Sequence, residues 1–176
     1  WSINDHDLAL TPRRWRETID AVRECNAVSG DPANPDVDAY LGWEWTQMGS
    51  TPDKHYGHKN VVLRDLADAA IPTRPITALV AVSDELREGA SASPLRMGLL
   101  PLAQRDASTL DLIRYLRETA EVPACEAGVP VRDLPEDCRE IVATPAELFA
   151  KLDDWNLPSI VIPHGTTWGF YTPPGS

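Results

Sequence analysis

The sequence has few positively charged residues: 16 lysines and arginines stand against 27 aspartates and glutamates, which gives a net charge of −11 at pH 7. A protein that binds a nucleic-acid backbone needs clustered lysine and arginine side chains. The acidic residues are spread along the chain, as on an ordinary solvated surface. The composition argues against nucleic acid as a partner. A small anionic ligand stays compatible with it if bound metal ions supply local positive charge.

Long apolar runs are also missing. No segment approaches the roughly 18 apolar residues of a membrane-spanning helix, and no signal-peptide pattern is found. The chain begins at Trp1 rather than at a methionine, and it ends at Ser176 without a closing helix. We therefore interpret residues 1–176 as a single partial domain that is truncated at both ends.

Cysteine is scarce, with three residues in the chain. Cys125 and Cys138 flank a loop that contains glycine and proline, and their spacing does not match a CxxC zinc site. Two alternatives follow: a loop disulfide, which would imply an oxidising compartment, or two free thiols in a cytosolic chain. Spacing alone does not decide between them.

Three segments carry helix signals. They begin at Thr11, at Asp106 or Ser108, and at Thr144, where Glu147 completes a capping box. We expect one apolar side of each helix to face inward. The residues on these sides are Trp15, Ile19 and Val22, then Leu110, Ile113 and Leu116, then Leu148, Phe149 and Leu152.

Strand signals separate these helices. The segments "WSIND", "AYLGWEW", "HKNVVLRDL" and "LPSIVIPH" predict strands, and "IPTRPITALVAV" contains a further one. The apolar run 160–162 predicts that the last strand is buried. The order of the elements favours an α/β fold, layered or barrel-like, with mainly parallel strands. A complete (β/α)8 barrel needs roughly 250 residues, so the chain is too short for one.

The histidines mark the candidate chemistry. His6, His58 and His164 each lie where a predicted strand meets a loop, and Glu44 lies inside the apolar segment "LGWEW". Singly, each has an ordinary explanation: a histidine at a strand end is usually hydrogen-bonded, and Glu44 can face solvent from an edge strand. Together, at the ends of successive strands of an α/β barrel, they can converge on one face. Imidazoles and carboxylates suit Zn, Mn or Fe, and a bridging carboxylate suits a cluster of ions.

Four segments resemble, in order, the motifs of the PHP (polymerase and histidinol phosphatase) superfamily. "SINDHD" is similar to its Thr-Asp-His motif, "LGWEW" to its Gly-x-Glu segment, "GHKNVVLRD" to its next histidine motif, and "VIPH" to its Ile-x-His-Pro motif. The resemblance extends over residues 1–176. It is greatest to a bacterial branch of the superfamily that is classed as a domain of unknown function.

The resemblance implies part of a distorted (β/α)7 TIM-like barrel with a di- or trinuclear metal centre. It also implies a metal-dependent hydrolase that activates water against a small-molecule phosphoester. His6 would bind an outer metal ion, Glu44 would bridge two ions, and His58 and His164 would bind the second. Asp5 is either a ligand or the group that orients an imidazole. Glu44 and Asp5 are therefore the expected catalytic residues.

Substrate binding is expected from polar side chains near these ligands. The candidates are Lys59, Arg64, Thr166 and Thr167. Strand alternation, however, points Lys59 to the face opposite that of His58. The loop aromatics at 168, 170 and 171 either line a pocket for an organic leaving group or hold their own loop in place. His55 lies in a loop before Gly57, and we expect no ligand role for it.

The chain departs from the family pattern at both ends and at one internal position. The first His-x-His motif would precede Trp1, the late Asp-x-His motif would follow Ser176, and Gly165 stands where proline is expected after His164. Two other hypotheses stay open: an amidohydrolase-like metal hydrolase with the same ligands, and a non-catalytic secreted binding domain whose metal site has decayed. The resemblance favours a periplasmic or secreted location over the cytoplasm.

Overall fold

The computed structural model describes residues 1–31, 33–49, 51–78 and 107–166. These residues belong to two compact units, one made of residues 1–78 and 124–166 and the other of residues 107–123. The first unit combines helices with small sheets, and the second contains a helix. None of the described helices is long and apolar enough to cross a membrane.

The described helices and strands agree well with the segments expected from the sequence. In chain order they are β1 (Ser2–Ile3), α1 (Pro12–Ala27), β2 (Gly30–Asp31), β3 (Asn34–Pro35), β4 (Tyr40–Trp45), β5 (His58–Leu63), β6 (Ile76–Ala78), α2 (Ala107–Glu121), β7 (Glu140–Val142), α3 (Pro145–Trp155) and β8 (Ser159–His164). Each of the five predicted strand segments contains a strand of the structure.

The main sheet has the strand order β1-β4-β5-β8. Strand β1 is parallel to β4, whereas the β4–β5 and β5–β8 pairs are antiparallel. The prediction of mainly parallel strands is therefore wrong for this sheet. Between β4 and β5 the described residues form a loop with one 3-10 turn and no crossover helix, and such a connection joins antiparallel neighbours. Elsewhere, β2 and β3 form an antiparallel pair and β6 lies parallel to β7.

One face of the main sheet forms the hydrophobic core with α1. Trp43 and Trp45 of β4 have no exposed surface, and neither has Trp15 of α1. Trp15 lies edge-on to Trp43 with the ring centroids 5.7 Å apart. The Trp15 indole N–H donates to Pro72 O at 2.8 Å, and that of Trp43 donates to Ile76 O at 3.0 Å. Burial of each such ring contributes about 1.5–3 kcal/mol, and the satisfied N–H groups remove the cost of burying them.

The caps of α1 and α3 are confirmed. The Thr11 hydroxyl accepts a hydrogen bond from the Arg14 N–H at 3.2 Å, and the capping box of α3 is complete. The inward side of α1 is buried as expected, and so are Leu148 and Leu152 of α3. The expectation for Phe149 is wrong, because its side chain is 46% exposed. It follows Leu148 directly and is therefore rotated by about 100° around the helix axis.

Helix α2 differs from the expectation at its beginning. It starts at Ala107, so Ser108 lies within the helix and is not its N-cap. The alternative cap, Asp106, lies outside the described residues. Ile113 is buried, but Leu110, in the first turn, is 44% exposed. The expectation that Leu110 faces inward is therefore wrong.

Strand β8 is more exposed than its apolar sequence predicts. It lies at one edge of the main sheet and pairs with β5. Ile160 is 66% exposed and Ile162 is 49% exposed, so the prediction of a buried strand is wrong. Both side chains lie on the face opposite the core tryptophans, and the described residues leave that part of the face uncovered.

A covalent link and a buried ion pair stabilise the part of the first unit around β6 and β7. Cys125 and Cys138 form a disulfide with their Cα atoms 4.9 Å apart, which confirms the disulfide alternative. Cys25 is a free thiol. Arg74 Nε lies 3.4 Å from Glu140 Oε2, and both side chains are almost fully buried. Each buried charge is tolerated because the other lies beside it.

Candidate metal centre

The face of the main sheet opposite the core carries a cluster of imidazoles around one carboxylate. In the β5–β8 ladder His58 is paired with His164, and in the β4–β5 ladder Glu44 is paired with Asn60, two residues from His58. Because side chains alternate between the two faces of a strand, Glu44, His58 and His164 share one face. His6, which follows β1, forms a parallel bridge with Glu44. The structure thus brings together the four residues expected to form the metal centre.

Glu44 lies at the middle of this cluster. Its Oε1 is 2.6 Å from His58 Nδ1 and 3.2 Å from His6 Nδ1, and its Oε2 is 3.5 Å from His164 Nε2. The Glu44 side chain is only 13% exposed. A carboxylate with so little access to water is stabilised by partners of this kind or by a bound cation.

Three of these residues can hold a metal ion. Glu44, His58 and His164 each offer one ligand atom, and these atoms lie within 4.8 Å of one another. A carboxylate with two imidazoles suits a divalent transition metal and leaves coordination positions for water or substrate. The donor set therefore fits a divalent cation, although it does not select one metal.

Burial favours the uncharged form of His58. Burial lowers the pKa of His58; its hydrogen bond to Glu44 and the charge of Glu44 oppose this shift, and the charges of His164 and His6 add to it. The rings of His58 and His164 meet edge-on with centroids 5.4 Å apart. The neutral imidazole is the form that binds metal, so this environment keeps His58 ready as a ligand near neutral pH.

Thr46 is a member of the cluster that the sequence did not assign to the site. It is 4% exposed and follows β4 on the same face as Glu44. Its Oγ1 lies 2.8 Å from His6 Nδ1 and 3.1 Å from the main-chain oxygen of Glu44. Its position two residues after Glu44 is the one sequence signal that could have found it.

Asp7 is a second residue that sequence analysis missed. It has no exposed surface, and its carboxylate accepts hydrogen bonds from the N–H groups of Leu8, Thr46 and Ala78. Burial raises the pKa of Asp7 to about 7, while these hydrogen bonds and the charge of Arg139 act in the opposite direction. Asp7 therefore links the segment after His6 to the ends of β4 and β6. These hydrogen bonds stabilise the backbone that carries His6 and Thr46.

The described contacts of the Asp5 side chain do not include the residues of the imidazole cluster. Asp5 is exposed and lines a small cavity together with Ile3 and Arg14. Its main-chain oxygen accepts a hydrogen bond from the Glu44 N–H at 2.9 Å. Its proposed role as a ligand or orienting group stays a prediction, which none of its described contacts supports.

Two predicted substrate-binding residues of β5 and its following loop also lie elsewhere. The Lys59 ammonium is 5.1 Å from the centre of the Trp45 ring and donates to Tyr56 O at 2.8 Å. Lys59 thus faces the core side, as strand alternation predicts, and burial lowers its pKa. Arg64 follows the far end of β5 and forms an exposed ion pair with Asp65 at 2.9 Å.

The loops after β8 and before β5 meet at the rim of the cluster. Thr166 is exposed there, close to His164. A Cβ atom on Gly57 would lie 2.8 Å from both His164 O and Thr166 Cα, so the two loops are in close contact. His55 Nε2 is 3.0 Å from Gly165 O, which places the fourth histidine in the contact between the loops. The remaining candidates lie outside the described residues: Thr167, Trp168, Phe170 and Tyr171.

Comparison with known proteins identifies no relative. No family model, no curated protein and no solved structure matches this chain. A functional assignment must therefore be argued from the geometry of the cluster and from the resemblance of the sequence motifs.

Proposed function

We propose that this protein is a metal-dependent hydrolase and that phosphoesters are its substrates. The observation that carries the proposal is the convergence of Glu44, His58 and His164, whose ligand atoms lie within 4.8 Å of one another on one face of the sheet. When bound, a divalent ion such as Zn, Mn or Fe supplies a Lewis acid that polarises a phosphoryl oxygen and acidifies water.

The residues of the cluster have distinct roles in this proposal. His58 and His164 would hold an ion through their imidazole nitrogens, and the β5–β8 ladder fixes the separation of these two residues. Glu44 presents Oε1 towards His58 and His6, and Oε2 towards His164. Glu44 would bind an ion beside these imidazoles, and a second ion is implied by the resemblance to the PHP superfamily alone.

The choice of phosphoesters rests on the resemblance to the PHP superfamily. All four motifs with that resemblance contribute to the cluster: "SINDHD", "LGWEW", "GHKNVVLRD" and "VIPH" supply His6, Glu44, His58 and His164 respectively. The resemblance also implies a PHP-type (β/α)7 barrel, but the antiparallel β4–β5 and β5–β8 pairs do not fit the parallel strands of such a barrel. We therefore restrict the proposal to the metal centre. An amidohydrolase-like enzyme would use a similar ligand set, so the class of bond has to be decided by assay.

The metal content of the protein tests the proposal directly. The protein is purified without chelator, and its Zn, Mn and Fe are measured beside those of Glu44→Ala and His164→Ala. We expect at least one equivalent of metal in the wild type and a loss of most of it in both variants. Glu24→Ala is the control for the loss of a carboxylate, because Glu24 is exposed on α1 and should leave the metal content unchanged.

A substrate screen then separates the two kinds of hydrolase. The metal-loaded protein is tested with phosphomonoesters, phosphodiesters and amides. We expect the wild type to hydrolyse phosphoesters, and we expect Glu44→Ala and His164→Ala to abolish this activity. Amide hydrolysis alone would favour the amidohydrolase-like alternative. A wild-type protein without metal, even after incubation with each ion, would overturn the proposal and favour a binding domain.

A further inference from the structure

The hydroxyl of Thr46 lies between three polar groups of the cluster. Its Oγ1 is 2.8 Å from His6 Nδ1, 3.1 Å from Glu44 O and 3.5 Å from Glu44 Oε1. Thr46 is almost fully buried, with 4% of its surface exposed. A hydroxyl has one proton to donate and two lone pairs to accept with, so these contacts constrain where the protons lie.

The proton on His6 can be assigned from these contacts. His6 Nδ1 is 2.8 Å from Thr46 Oγ1 and 3.2 Å from Glu44 Oε1. A carboxylate oxygen only accepts hydrogen bonds, so a lone pair on Nδ1 would face the negative charge of Glu44. A proton on Nδ1 instead satisfies both oxygens. The Thr46 hydroxyl then accepts from His6 and donates its own proton to Glu44 O.

We propose that Thr46 is a positioning residue that fixes the tautomer of His6, with the proton on Nδ1 and Nε2 as the ligand atom. The His6 side chain is 57% exposed, so the opposite edge of its ring is accessible from solvent. This arrangement matches the way in which a metal-binding imidazole is usually held, with its second nitrogen donating to an oxygen of the protein. The ligand role of His6 rests on the proposed function, whereas the tautomer does not.

The ring nitrogens of the metal-free protein give the first test. Nitrogen-15 NMR of the histidine rings is recorded at about pH 8, well above the ordinary histidine pKa of about 6.5. His6→Ala identifies the signals of His6. We expect the wild type to show a protonated Nδ1 and an unprotonated Nε2 at His6. A wild-type His6 with its proton on Nε2 would overturn the proposal.

The role of Thr46 is tested with a matched pair of variants. Thr46→Val removes the hydroxyl at nearly constant shape, and Thr46→Ser keeps it. We expect Thr46→Val to lower the fraction of His6 protonated at Nδ1, and Thr46→Ser to retain it. If Thr46→Val fails to fold, the wild type and Thr46→Ser still decide the tautomer. An unchanged tautomer in a folded Thr46→Val would overturn the role of Thr46.

Metal affinity gives the second readout. Titration with Co²⁺ and Zn²⁺ should show binding to His6 that is about 10-fold to 100-fold weaker in Thr46→Val than in the wild type. Thr46→Ser should bind as the wild type does, and His6→Ala should lose the same binding step. Equal affinity in Thr46→Val and the wild type would overturn the positioning role. A wild type that binds neither ion would instead contradict the proposed function, while the nitrogen signals would still report the tautomer.

Discussion

At the scale of single residues, Gly57 controls how closely two loops approach beside the candidate metal centre. Its φ is +70°, and a Cβ atom there would lie 2.8 Å from His164 O and from Thr166 Cα. Real Cβ atoms do not come so close to backbone atoms, so the loop after β8 would have to move. Because that loop begins at His164, the displacement would reach a proposed ligand.

We predict that Gly57→Ala destabilises the protein and weakens metal binding. The left-handed conformation costs an alanine about 1–2 kcal/mol, and the steric conflict adds about 1–3 kcal/mol. Gly128→Ala is the matched control, because Gly128 has a φ of +80° but nothing within 4 Å of its Cβ position. In urea unfolding, Gly128→Ala should show only the conformational cost of the alanine. Its metal affinity should equal that of the wild type. Equal effects of the two substitutions would contradict this account of Gly57.

At the scale of elements, helix α3 has the most complete N-terminal capping motif of the described helices. The Thr144 hydroxyl accepts from the Glu147 N–H at 3.3 Å, and Glu147 Oε2 accepts from the N–H groups of Ala143 and Thr144 at 2.7 and 3.0 Å. The hydrogen bond from the Ala143 N–H is the largest cause of a lowered pKa at Glu147; those from Thr144 add to it, and burial opposes it. The helix begins where it does because these groups satisfy its first N–H donors.

We predict that Thr144→Ala lowers the free energy of unfolding by about 1 kcal/mol. Glu147→Gln should show the pH dependence of the cap. Since the pKa of Glu147 is lower in the folded protein than the ordinary 4.5, its contribution is present above that pH and is lost as the pH falls through the folded value. The difference between wild type and Glu147→Gln, measured by urea unfolding, should therefore shrink as the pH falls from 7 to below 4.5.

A charge-matched control accompanies this measurement. Glu24→Gln removes one negative charge from the exposed surface of α1, away from a helix N-terminus, and its difference from the wild type is measured over the same pH range. A similar slope in both variants would show that the effect comes from net charge and not from the cap.

A comparison of these elements with the sequence patterns shows which features could be predicted from the sequence. Helix caps and strand segments depend on neighbouring residues, so α1, α3 and five of the eight described strands were found from local patterns, whereas β2, β3 and β7 were not predicted. Strand direction and the exposure of Ile160 depend on which elements meet in space, and the pattern of β8 contained no information on that. In the site, Glu44 and His58 were selected because histidines and a carboxylate recur at successive predicted strands and because their segments resemble family motifs. Asp7 and Thr46 were missed because their importance comes from contacts with main-chain atoms and with His6.

At the scale of the whole molecule, the segment before β7 has little regular structure to hold it. Its described residues 123–139 form turns and an isolated bridge between Ala124 and Arg139. Main-chain oxygens of this region nevertheless accept hydrogen bonds from a buried charge, since Arg74 donates to Val131 O at 2.6 Å and to Pro135 O at 2.9 Å. Because the segment has so few ladder hydrogen bonds, the bonds from Arg74 to its main-chain oxygens and its disulfide hold it in place.

We predict that this disulfide contributes about 3 kcal/mol to the free energy of unfolding, because it closes a short loop between residues 13 positions apart and so restricts the unfolded chain. The double variant Cys125→Ala/Cys138→Ala should be less stable than the wild type by that amount, measured by urea unfolding without reductant. Dithiothreitol should lower the stability of the wild type to a similar level and leave the double variant unchanged. Cys25→Ser, which alters the free thiol, should behave as the wild type under both conditions. If reductant does not change the wild type, the bridge is not formed in the purified protein, and the sequence-based argument for an oxidising compartment loses its support.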